Sequence, residues 1–79
     1  MHSEEEVMHK LAEVLKVDPS AIQKHTTAQD VEVWDSMGTM QVVYWLNTEF
    51  GIEFDPSDMI KLQSVRGILD LLSAAGKLA

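Results

Sequence analysis

Apolar residues recur at helical spacing in several stretches of the chain, with turn-forming residues between them. Val7, Leu11, Val14 and Leu15 fall at i, i+4, i+7 and i+8, which is one face of a helix. Ser3-Glu4-Glu5-Glu6 ahead of them fits the S-x-x-E capping box, and three acids in a first turn suit the positive end of the helix dipole. Asp18-Pro19 stops the pattern, because the residue before a proline is pushed out of helical geometry. The spacing predicts a first helix over about 4–17. Residues 18–34 hold no sustained period. Asp18-Pro19-Ser20-Ala21-Ile22 suits a single capped turn that drops Ile22 onto the core, and the remainder is polar apart from Ala28, Val31, Val33 and Trp34. A connection this long in so short a chain is usually functional or partly structured. Here it must cross the molecule and deliver Asp35-Ser36.

A second helix is predicted from Ser36 to about Phe50, with Gly51 as its stop. Thr39, Val42, Val43, Leu46 and Phe50 share one side of its wheel and form the core face. Met37, Met40 and Tyr44 cluster roughly opposite, with Trp45 on the flank. That second face is unusual, because the only charged residue in 36–50 is Glu49. Ile52 and Phe54 alternate with polar neighbours in a short extended link. Asp55-Pro56-Ser57-Asp58 then starts a short helix, about 56–61, that brings Met59, Ile60 and Leu62 near the second. Ser64 caps a last helix with Val65, Ile68, Leu69 and Leu72 as its buried stripe, closed by Gly76 and Lys77. The expected fold is all-α: a small four-helix bundle of three longer helices and a short third one, with a long loop between helices one and two.

At 79 residues the chain is expected to be one domain, residues 1–79, with a modest core. No cysteine is present to add a disulfide or a thiolate metal site. Thirteen acids against six bases give a net charge of −7. Nucleic acid and anionic membranes are therefore not expected partners, since both are gripped through Lys and Arg. The acidic start Met1-His2-Ser3-Glu4-Glu5-Glu6 lacks a signal peptide's basic and apolar regions. The expected state is a cytoplasmic monomer. His2, His9 and His25 lack metal-ligand spacing and read as solvated residues, so no metal site is expected. Trp34 and Trp45 read as flanking core, where each indole N–H would want a partner.

The candidate chemistry lies in Asp35-Ser36-Met37-Gly38-Thr39. Asp35 reads as an N-cap whose carboxylate accepts N–H groups two and three residues on. Ser36 is then the first helical residue, its hydroxyl at a helix end that favours a phosphate ester. Gly38 is expected to leave the approach to that hydroxyl uncrowded. A hydrolase nucleophile is the sharper rival, but no G-x-S-x-G elbow and no nearby histidine accompany the serine.

Asp35-Ser36-Met37 resembles the Asp-Ser-Leu signature of acyl carrier proteins. The resemblance extends through the first helix, the long loop, a second helix ending Glu49-Phe50-Gly51-Ile52, the short helix after Pro56 and a last helix opening Ser64-Val65. It implies a carrier, not an enzyme. Ser36 would bear 4′-phosphopantetheine, attached by a phosphopantetheinyl transferase from coenzyme A, and would hold an acyl intermediate as a thioester. Asp35 would be the acid that the transferase and its metal ion recognise. Met37, Met40 and Tyr44, with Met59 and Ile60 on the short helix, would meet the enzymes that load and process the cargo. Two departures point away from bulk fatty acid synthesis toward a specialised pathway. The second helix lacks the acids that basic partner surfaces read in fatty-acid carriers, and Asp35-Ser36-Met37-Gly38-Thr39 is similar to the D-alanyl carrier pattern. An aminoacyl carrier of D-alanyl or peptidyl type is thus the close alternative. An unmodified helical interaction domain using the Met37/Met40/Tyr44 face is the alternative of another class.

Overall fold

A computed structural model describes residues 2–79, so Met1 of the acidic start lies outside the described residues. Three α-helices, α1 (Glu4–Leu15), α2 (Ser36–Phe50) and α3 (Val65–Ala74), and an eight-residue 3-10 helix, Pro56–Gln63, surround one core. Two 3-10 turns, Pro19–Ala21 and Ala28–Asp30, punctuate the long loop. The all-α expectation holds, with differences at the level of single elements. Among the described residues, no helix is long and apolar enough to cross a membrane.

Ser3 caps α1 as expected, its hydroxyl accepting the Glu6 N–H at 3.1 Å. The helix stops two residues short of its expected end. Lys16 takes a left-handed conformation (φ 59°, ψ 44°), and the Val17 N–H reaches back to the Ala12 carbonyl at 3.0 Å. These bonds satisfy carbonyls that a helix end would otherwise orphan. The proline effect therefore acts on Asp18, which is extended (ψ 138°), after the helix has already closed. Ala12 rather than Val14 completes the buried stripe of α1, with Val14 half-buried at its edge.

The long loop is partly structured and is stitched to the far end of the molecule. The Thr26 hydroxyl accepts the Gln23 N–H at 2.9 Å, and the Thr26 carbonyl accepts the Val65 N–H at 2.9 Å. Val65 opens α3, so the loop satisfies one of that helix's free donors. Ile22, Val31 and Trp34 anchor the loop in the core. Trp34 is fully buried rather than flanking, and its Nε1 has no hydrogen-bond partner among the described residues. An unmet donor costs about 1–3 kcal/mol. Burying an indole removes roughly 150–250 Å² from water, or ~4–6 kcal/mol at about 25 cal/mol/Å², so burial wins. Trp45 is the flanking one, half-buried with its ring edge-on to Phe50 at 5.7 Å.

The core face of α2 is Gly38, Thr39, Val42, Leu46 and Phe50, with Val43 half-buried, and the helix ends at Gly51 (φ 67°). The predicted short helix is longer than 56–61 and of 3-10 type. Three residues per turn put Met59 and Leu62 on one face, half-buried and buried, while Ile60 points out. Its C-terminal end lies against α3 so closely that a Cβ on Gly67 would collide with the Lys61 carbonyl. Ser64 caps α3 by accepting the Gly67 N–H at 2.9 Å, and all four expected stripe residues are buried. Lys77 N–H to the Leu72 carbonyl, 2.8 Å, closes that helix beside Gly76. His9 and His25 are exposed, as expected. His2 is not free in solvent: its ring stands edge-on to Phe50 at 5.0 Å, and its carbonyl accepts the Ala79 N–H at 2.8 Å.

Candidate functional site

Local chemistry places Ser36 at the head of α2. Asp35 is extended (φ −96°, ψ −159°) and its Oδ1 accepts the Gly38 N–H at 3.0 Å, three residues on. Its carbonyl accepts the Thr39 N–H at 2.8 Å, the first bond of the helix. Of the four N–H groups a helix start leaves free, those of Asp35 to Gly38, the Gly38 one is thereby taken by the cap, and those of Ser36 and Met37 have no acceptor within the helix. On the N-terminal side the chain is held by buried Trp34, whose N–H donates to the Val31 carbonyl at 2.9 Å. On the C-terminal side it is held by buried Gly38 and Thr39. Asp35, Ser36 and Met37 stand exposed between these two anchors. A rigid frame thus presents one hydroxyl to solvent.

Gly38 has a different role from the expected one. It is buried, and a Cβ there would collide with the carbonyl of Val33 and press on Leu15. The glycine makes room for the incoming loop backbone, not for a reagent approaching Ser36.

Two hollows flank the serine. One, about 430 Å³, is lined by Ser36, Met37, Met40, Gln41 and Tyr44. The other, about 480 Å³, is lined by Asp35, Ser36, Thr39, Met40, Met59 and Gln63. The first is mostly side-chain hydrocarbon and sulfur. The second mixes polar groups with thioethers, and the Gln63 amide donates to the Thr39 hydroxyl at 3.3 Å across it. Met37, Met40 and Tyr44 are exposed as expected, and Met59 comes to the serine from the 3-10 helix. Ile60, the most exposed large apolar residue, lines neither hollow. Sequence reasoning missed Val33 and Gln63. Val33, exposed between buried Val31 and buried Trp34, shares a third hollow with Met37; a strict alternation would have buried it with Val31, so the spacing gave no signal for it. Gln63 carries none either, because its position depends on how the 3-10 helix packs.

Among the described residues, no group of three or more His, Cys, Asp and Glu side chains is placed to hold a metal ion.

Comparison with known proteins fits this geometry. A family model described as "Phosphopantetheine attachment site" matches residues 5–72. The chain is similar to an acyl carrier protein of Thermosynechococcus vestitus, with 30% identity over 70 residues covering 87% of this chain and 85% of that protein. No solved structure matches the chain significantly.

Proposed function

This chain belongs to the phosphopantetheine-binding family of acyl carrier proteins, and we propose that Ser36 is the residue that bears its 4′-phosphopantetheine. The family carries its cargo and does not catalyse. The observation that carries the assignment to Ser36 is its position: an exposed hydroxyl at the first residue of a 15-residue helix, fixed between buried Trp34 and buried Gly38. A phosphodiester on Ser36 Oγ would meet the free N–H groups of Ser36 and Met37 and the positive end of the α2 dipole.

When bound, the group supplies the thiol on which an acyl intermediate is held as a thioester. The protein's part is positional. Rigid α2 fixes one end of a mobile arm, which raises the cargo's effective concentration at any enzyme docked beside the helix. Carriers of this family work with a phosphopantetheinyl transferase and with acyl-processing enzymes. In the finer reading, the transferase recognises Asp35. The face formed by Met37, Met40 and Tyr44, with Met59 and Ile60, meets the processing enzymes, and residues 1–79 act as one carrier domain in a specialised pathway. An aminoacyl cargo is the second reading, favoured by the run Asp35-Ser36-Met37-Gly38-Thr39.

The test is intact-mass analysis after incubation with coenzyme A and a broad-specificity phosphopantetheinyl transferase. Wild type is expected to gain one phosphopantetheine and Ser36→Ala none. A gain in both, or in neither, overturns the assignment. The mass of the species carried in cells then separates an acyl from an aminoacyl cargo.

A further inference from the structure

Sulfur is concentrated around Ser36. The chain has five methionines and no cysteine, so thioethers are its own only oxidisable sulfur. Three of them converge on the serine. Met37 and Met40 line the hollow of about 430 Å³, Met40 and Met59 line the one of about 480 Å³, and Ser36 stands in the wall of both. Met40 also lines a further hollow with Tyr44 and Phe54, so its side chain borders three.

The methionines differ in what they hold up. Met37 is 74% and Met40 60% exposed, whereas Met8 and Met59 are half-buried and packed against the core. A new dipole on Met8 would press on apolar side chains that cannot pair with it. The exposed pair carries none of the core's packing, so a change of chemistry there leaves the bundle standing.

Hydrogen peroxide supplies such a change. The sulfur lone pair attacks one peroxide oxygen, and the O–O bond breaks as the S–O bond forms. The departing hydroxide takes the proton from the transferred oxygen and leaves as water. Sulfur is oxidised by two electrons and the peroxide is reduced by two. The sulfoxide is polar and chiral where the thioether was apolar and flexible, and methionine sulfoxide reductases reverse it, one enzyme for each epimer.

We propose that Met37 and Met40 are reversible oxidation sites whose sulfoxides slow the loading of Ser36. The chemistry rests on exposure alone, and its consequence rests on the Ser36 assignment. Gln41 and Tyr44 complete the hollow that the two methionines share with the serine, and neither is charged. Two S=O dipoles therefore change the character of that hollow more than they would on a charged surface. A transferase closing over Ser36 must strip water from them, and an unpaired polar group of this kind costs about tenfold in affinity.

The test starts from the unmodified chain, treated with hydrogen peroxide, stopped while Met8 is intact, and freed of peroxide. Tandem mass spectrometry follows each methionine. Among those of residues 2–79, Met37 and Met40 are expected to oxidise first, Met59 later and Met8 last. Treated and untreated protein are then loaded by the transferase from saturating coenzyme A. Oxidation is expected to lower kcat/KM for the carrier about tenfold, with circular dichroism unchanged, and the two reductases together restore it. The double variant Met37→Leu/Met40→Leu is compared only with itself before and after peroxide, and is expected to lose nothing whatever its starting rate. Met8 or Met59 reacting ahead of the exposed pair overturns the proposal. So does loss of helix at this stage, unchanged loading after both sulfurs are converted, or an equal loss in the double variant. If untreated wild type gains no phosphopantetheine, the Ser36 assignment fails and the effect on loading falls with it, while the order of oxidation still decides the chemistry. Normal loading that oxidation leaves untouched removes this proposal alone.

Discussion

Gly38 shows how much one residue can depend on chain outside its own helix. Its neighbours were legible: capping by Asp35 and the placing of Ser36 follow from a short carboxylate at a helix start, which is local chemistry. The need for glycine was not legible, because it arises where the loop carbonyl of Val33 crosses the first turn of α2. Gly38→Ala sets two effects against each other. Alanine gains roughly 1 kcal/mol of helix propensity. Its methyl group must also displace a backbone carbonyl, which cannot rotate away as a side chain would, and overpacking of this kind costs about 1–3 kcal/mol. The collision is expected to win, lowering the melting temperature by several degrees, since about 1 kcal/mol moves a domain of this size by roughly 4–8 °C. A variant that melts higher than wild type would mean that the loop does not approach α2 as described.

At the level of elements, sequence patterns located every long helix and the glycine stop of α2, but not the way α1 ends. The stop of α1 is a left-handed Lys16, a residue type with no special claim to that conformation, so it was invisible until tertiary contacts chose it. The 3-10 character of Pro56–Gln63 was equally hidden, because Asp55-Pro56 starts either kind of helix. The turn at Asp18 was legible, and its electrostatics yield a pH prediction. Asp18 Oδ1 accepts the Ser20 N–H at 2.9 Å and the Ser20 hydroxyl at 2.7 Å. The backbone bond first, and the hydroxyl second, hold its pKa below the ordinary aspartate value. A pKa lower in the folded than in the unfolded state gives stability that is present above the unfolded value and is lost as pH falls through the folded one. Asp18→Ala is therefore expected to unfold at lower urea than wild type near neutral pH. The gap should close as pH drops below the ordinary aspartate range. A gap that stayed constant with pH would show that the turn is held by its proline and not by the carboxylate.

For the whole molecule, the decisive feature is that the core and the proposed docking surface interleave along the same short segments without sharing side chains. The bundle and most of its core were legible because apolar spacing alone identified them. Which apolar residues stay outside was less so: Val31, Val33 and Trp34 look alike in a pattern, yet only Val33 is exposed. The 3-10 helix offers the sharpest contrast. Leu62 is fully buried and Ile60 is 81% exposed, two positions apart and similar in size. A buried leucine truncated to alanine loses about 2–5 kcal/mol, part of it for the cavity left behind. A chain of 79 residues without a cysteine sits toward the low end of the ~5–15 kcal/mol typical of domains. Leu62→Ala should therefore bring the protein close to unfolding at room temperature, with its urea midpoint shifted far down. Ile60→Ala leaves no cavity and should stay within about 0.5 kcal/mol of wild type. Urea titrations of the two variants side by side check the register of the 3-10 helix: equal losses, or a larger loss at Ile60, would mean that the segment is rotated. In that case Met59, which shares the face of Leu62, would no longer stand where it meets the serine.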